Sequence, residues 1–195
     1  GPAAVERAVM RGEPFDVAII TPKAIDELIA GGRMATGSRV DLARVGVGVA
    51  VREGAAVPDI GTVGALKKTL LAAKSVAYRD PKSGGTSGIY FDSLLDRLGI
   101  GSEVRAKAVL RATGYVAELV AAGEAEIVVQ QMSEIVPVKG VKIVGPLPAE
   151  VQNYTVYAAG VSPAPLDAAA AKAAVDLLTG PAATAVLKSK GMERP

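Results

Sequence analysis

Short apolar runs separated by helix-like stretches recur along the whole chain, and that alternation restricts the fold more than any other feature. Residues 16–21 (Asp-Val-Ala-Ile-Ile-Thr), 75–78, 107–110, 126–129 and 141–144 are all of this kind. A brief apolar run with turn residues on either side has the pattern of a strand covered on both faces in a parallel sheet. Between these runs, Val5, Ala8 and Val9 fall on one helical face, and Pro22 opens a helix that Gly31-Gly32 ends. Residues 59–74 lead into another helix, and Ile89, Leu94, Leu95 and Leu98 make the buried stripe of one that stops at Gly99. Two further helices, over 166–178 and from Pro181 to near Gly191, close the chain. Strands alternating with helices throughout predict an α/β fold with mainly parallel sheets flanked by helices.

Two longer strands bracket the middle of the sequence. Residues 44–52 alternate valine with glycine or alanine, and residues 154–161 alternate as a strand returning across the molecule. If both cross between lobes, residues 1–45 with 154–195 form lobe I and residues 46–153 form lobe II, with a cleft and a hinge between them.

The stretch Tyr78-Arg-Asp-Pro-Lys-Ser-Gly-Gly-Thr-Ser-Gly-Ile-Tyr90 runs from a strand through a glycine-rich polar turn into a helix. Such a layout forms an anion cradle: Gly85 lets the backbone approach a ligand, helix-start N–H groups point outward, and Ser83, Thr86 and Ser87 add neutral hydroxyl donors. An ordinary helix start capped by Thr86 or Ser87 would have the same composition. The stretch is no nucleotide P-loop, because Gly-Lys-Ser/Thr is absent, and it lacks the Gly-x-Gly-x-x-Gly spacing of a dinucleotide fold. Thr113, expected to cap the next helix, and Gln131, in the polar pair Gln130-Gln131 that a strand's end carries, are also expected at carboxyl ends of strands, where ligands of open α/β sheets collect.

Composition narrows the chemistry. The 195 residues contain no Cys and no His, which removes thiol catalysis, the Ser-His-Asp triad and most zinc and copper sites. No tight Asp/Glu cluster replaces them, so neither an enzyme nor a bound metal or cofactor is expected. With 22 basic against 20 acidic side chains and 4% aromatics, the chain has neither the charge stripe nor the stacking platform of a nucleic-acid binder. No apolar run approaches the roughly 20 residues of a membrane span, and no basic-then-apolar leader opens the chain. Gly1-Pro2 reads either as a cloning scar or as native sequence.

A series of segments, in order, resembles the periplasmic molybdate-binding protein family, the type II solute receptors of ABC transporters. They are Gly12-Glu-Pro-Phe-Asp-Val-Ala-Ile-Ile, Asp80-Pro-Lys-Ser-Gly-Gly-Thr-Ser-Gly-Ile-Tyr, Gly123-Glu-Ala-Glu-Ile-Val-Val, Lys139-Gly-Val-Lys-Ile-Val and Gly180-Pro-Ala-Ala-Thr-Ala-Val-Leu-Lys-Ser-Lys-Gly-Met. The resemblance covers nearly the whole chain. It implies a two-lobed α/β receptor in the periplasm that holds a small anion by neutral donors and presents it to a membrane permease. It places ligand contacts at Ser87, Thr113 and Gln131, the last where the family has a tyrosine. The family's first strand, helix and second strand have no counterpart, and its next ligand serine falls near Pro2 or Ala3, so the chain is expected to be N-terminally incomplete or divergent at the site. Two rivals share the fold. One is the effector-binding domain of a LysR-type transcriptional regulator; the other is an enzyme using the cleft, for which Asp80, Lys82 and Tyr90 are the first residues to test.

Overall fold

A computed structural model describes residues 2–195, with side chains from residue 4 onward. The readings of Gly1 as a scar and of a donor-less ligand position at residue 2 or 3 lie outside what is described. The chain forms two compact units, residues 1–44 with 155–195 and residues 45–154.

The first unit contains α1 (Pro2–Met10), β1 (Val17–Ile20), α2 (Pro22–Ala30), the start of β2 (Val40–Arg52), β7 (Tyr154–Val161), α8 (Ala168–Thr179) and α9 (Pro181–Ser189). Pro22 and Pro181 each occupy the first turn of a helix, where the missing N–H costs nothing. The core gathers Val9, Ile20, Ile25, Leu28, Met34 and Ala158. Of the three residues assigned to the buried face of α1, Val9 is buried whereas Val5 is 38% exposed.

The second unit contains the rest of β2, then α3 (Val63–Ala72), β3 (Val76–Arg79), α4 (Thr86–Arg97), α5 (Gly101–Arg105), β4 (Ala108–Arg111), α6 (Ala117–Ala121), β5 (Ile127–Gln131), α7 (Met132–Ile135) and β6 (Val141–Pro146). Its strands show why the apolar runs are continuous. Val49, Val51, Val76, Tyr78, Ile127 and Val129 join one core cluster, while the alternating Ala50, Ala77 and Val128 join another with Val116, Val120 and Ile135. Period two sends successive side chains to opposite faces, and both faces are covered. Tyr78 and Phe91 meet edge to face, with ring centroids 5.1 Å apart, and tie β3 to α4.

The sheets are mixed rather than mainly parallel. β3 runs parallel to β4 and β5, but β2 pairs antiparallel with β5 and β6, and β1 antiparallel with β7. The run at residues 17–20 is therefore not a parallel core strand, and Ile19 is 43% exposed. The stripe of α4 also differs from expectation: Phe91, Leu94 and Leu95 are fully buried, while Ile89 is 51% exposed.

Candidate functional site

The predicted site residues all belong to the second unit, at the carboxyl ends of β3, β4 and β5. After β3, Asp80 caps a 3-10 turn at Pro81–Ser83: its carboxylate accepts the Lys82 N–H at 2.9 Å. Gly84 then takes φ +77°, a conformation that suits glycine, and Gly85 precedes α4 as its N-cap. The first turn of α4 contains no acidic side chain. Its leading N–H groups have no partners within the helix, and the helix dipole favours an anion there.

The hydroxyls of this stretch are not equivalent. Ser83 is exposed and donates to the carbonyl of Asp80 at 2.7 Å, so its proton is used inside the turn. Thr86 Oγ1 accepts from Gln131 Nε2 at 3.0 Å, which joins the start of α4 to the end of β5. Ser87, the next residue of α4, is 5% exposed. The cradle and Gln131 are therefore in direct contact.

Gln131 lies at its strand's end as expected, as the last residue of β5, and like Gln130 it is buried. Amides can sit there because their polar atoms are matched. Gln130 Oε1 accepts the Ala117 N–H at 3.2 Å, and its Nε2 donates to Glu134.

Thr113 is not a helix cap. The helix begins at Ala117, with Val116 at the capping position, and Thr113 is an exposed loop residue. Its loop is nevertheless tied to the cradle. Arg79 donates to the carbonyls of Ala112 at 3.0 Å and Gly114 at 2.8 Å and lies 3.5 Å from Glu134. The Arg79 side chain is only 12% exposed.

The glycines report on the same residue. A Cβ on Gly88 would lie 2.2 Å from the Arg79 carbonyl oxygen, and one on Gly85 would lie 2.5 Å from Arg79 Cγ. Both glycines let α4 settle on the end of β3. Of the residues named for a cleft enzyme, Tyr90 donates its hydroxyl to the Val151 carbonyl at 2.7 Å, and Lys82 is exposed. Among the described residues, no group of three or more His, Cys, Asp or Glu could hold a metal ion, and no single helix is long and apolar enough to cross a membrane.

Residues 1–193 match the family described as bacterial extracellular solute-binding protein. An aconitate isomerase from Pseudomonas sp is 36% identical over 193 residues, covering 98% of this chain and 72% of that protein. The expectation of a non-enzyme thus meets a relative that is an enzyme by name. Among solved structures, the substrate-binding domain assigned to a molybdenum ABC transporter from Clostridium difficile superposes with a TM-score of 0.82 at 19% identity, covering 100% of this chain and 83% of that one. The periplasmic molybdate-binding protein of Azotobacter vinelandii gives 0.75 at 22% identity, covering 100% and 84%. At these identities the likeness establishes the fold, that of the type II periplasmic binding proteins. With the family matched over nearly all of its length, the chain belongs to the bacterial extracellular solute-binding proteins.

Proposed function

We propose that this protein is a periplasmic receptor that binds a small anion, either a molybdate-like oxyanion or a small organic carboxylate, and delivers it to the permease of an ABC transporter. The observation that supports this most directly is the contact between Thr86 and Gln131, with Ser87 buried beside it at the start of α4. Neutral hydroxyl, amide and backbone donors then converge where a helix N-terminus favours negative charge. A dianion can be held by such dipoles without a lysine or arginine bound to it, which keeps release fast. Ser87, Thr86, Gln131 and the amides that follow Gly85 are the proposed contacts; Thr113 would reach the ligand from its loop, and Ser83 would have to give up its bond to Asp80. Membership of a solute-binding family favours the receptor over the effector domain of a regulator.

Thermal unfolding in the presence of molybdate, tungstate, sulfate, phosphate, citrate and cis-aconitate tests the reading. A ligand at about one hundred times its Kd stabilises a protein by about 2.7 kcal/mol, a shift of several degrees for a chain of this size. If no anion of the set raises the melting temperature, the reading is wrong.

A second reading, isomerisation of a small polycarboxylate, is favoured by the 36% identical relative. Without His or Cys, the proton transfer would fall to a carboxylate, a lysine or a tyrosine. Incubation with cis-aconitate followed by proton NMR separates the two: conversion to the trans isomer makes the protein an enzyme, while saturable binding without conversion leaves it a receptor.

A further inference from the structure

We propose that Arg79 is the positioning residue of the anion site, setting the distance between the donors of the α4 first turn and those of the 112–114 loop. The role rests on the anion-binding reading above. Arg79 ends β3, and it touches both the start of α4 and the 112–114 loop. Its backbone lies against Gly88 and its side-chain stem against Gly85, so the first turn of α4 rests on it. Its guanidinium grips the carbonyls of Ala112 and Gly114, one from each terminal nitrogen. Through Glu134 it reaches Gln130, whose other end holds the first N–H of α6.

The chemistry explains why an arginine is present. Taking a guanidinium to 12% exposure is costly unless it is paired and hydrogen-bonded, and an apolar side chain would fill the same space more cheaply. What arginine adds is a rigid planar fork that can fix two carbonyls of one loop at once. With two of its five N–H donors on protein carbonyls and Glu134 at 3.5 Å, the guanidinium acts from the protein side of the site, where it adds a fixed charge while neutral groups meet the ligand. The gap it fixes determines which anion sizes fit, separating compact tetrahedral oxyanions from longer polycarboxylates.

Arg79→Lys and Arg79→Met test this against wild type, with calorimetry over sulfate, molybdate, citrate and cis-aconitate and hydrogen exchange of the backbone amides of residues 117–119, which close the loop by donating to Gln130, Tyr115 and Val116. Losing two charge-assisted bonds should speed exchange of those amides by about tenfold or more while β6 exchanges as before. Affinity for the preferred anion should fall by about tenfold, the order of preference among the anions should change, and Arg79→Lys should recover part of each effect. Unchanged exchange at 117–119 in Arg79→Met, or an equal loss for every anion with no recovery in Arg79→Lys, would overturn the assignment. Failure of wild type to bind any of the four refutes the anion reading instead, and the exchange measurement alone then decides whether Arg79 holds the loop.

Discussion

Replacing Gly88 by alanine sets two effects of opposite sign against each other, and the structure decides between them. Gly88 lies inside α4, where alanine is better than glycine by about 1 kcal/mol. Against this, the new methyl would meet the Arg79 carbonyl oxygen at 2.2 Å and two further Arg79 atoms at 2.9 Å. The obstacle is backbone, so no side-chain rotation relieves it. Arg79 is also held by pairing between β3 and β4, and the Asp80 N–H that follows it donates to Arg111. Forcing extra volume into a packed contact costs about 1 to 3 kcal/mol, and a backbone obstacle at 2.2 Å belongs to the upper part of that range, about 2 to 3 kcal/mol, so after the propensity gain of about 1 kcal/mol the variant should lose about 1 to 2 kcal/mol. For a chain of this length that is a drop of about 2 to 8 °C in Tm, read by circular dichroism at 222 nm. Gly64→Ala in α3 is the matched control. Its nearest neighbour, Thr62 Oγ1, is 4.0 Å away, so it should gain up to about 1 kcal/mol from propensity alone. A Gly88→Ala protein that melts at or above wild type would refute the inferred contact between α4 and the end of β3.

Three further measurements probe other parts of the second unit. Ser87→Ala should weaken binding of the preferred anion by about 1 to 3 kcal/mol with little change in Tm; calorimetry giving wild-type affinity would remove Ser87 from the site. Gln152→Ala removes an amide that accepts the Val47 N–H at 2.8 Å and donates to the Val47 carbonyl at 2.9 Å, so stability should fall by about 1 to 3 kcal/mol and the Val47 amide should exchange faster by NMR. Burial, with the Asp92 carboxylate beside it, pushes the Tyr78 phenol up from 10.0 to about 12. The folded state therefore holds that proton more tightly than the unfolded chain, and the stability it contributes is complete below pH 10 and lost as pH rises toward 12. Denaturant titrations at pH 9 and pH 11 should show a smaller loss in Tyr78→Phe than in wild type, and an equal loss would place the effect elsewhere.

The fold class was legible because continuous apolar runs report burial on both faces, and Val49, Ala50 and Val51 show that burial directly. Strand direction was not legible. An apolar run carries no information about which neighbour it pairs with, so β1, read as parallel, lies antiparallel to β7. Helical period placed Ile89 in the stripe, but Ser87 and Gly88 are buried in the first turn of α4, and Phe91 rather than Ile89 faces the core. Thr113 had the composition of a cap. Its flanking carbonyls, however, are held by an arginine from 33 and 35 residues earlier in the chain, and the helix starts only at Ala117.

That same arginine changes the meaning of the glycine-rich stretch. In sequence, glycines between a strand and a helix suggest close approach of backbone to a ligand. The one-turn spacing of Gly85 and Gly88 instead serves the approach of α4 to Arg79, and Gly84 serves a left-handed turn. The neutral donors proposed for a ligand are placed by a mostly buried arginine and two amides. Gln130 and Gln131 are joined to the candidate site only through partners distant in sequence, Ala117 for one and Thr86 for the other. A polar residue that ends an apolar strand was the available signal. It is informative because burying an unmatched amide costs more than a matched one returns, so two adjacent glutamines at a strand's carboxyl end imply partners brought from elsewhere in the fold, and here those partners belong to α4 and α6, the helices that follow β3 and β4.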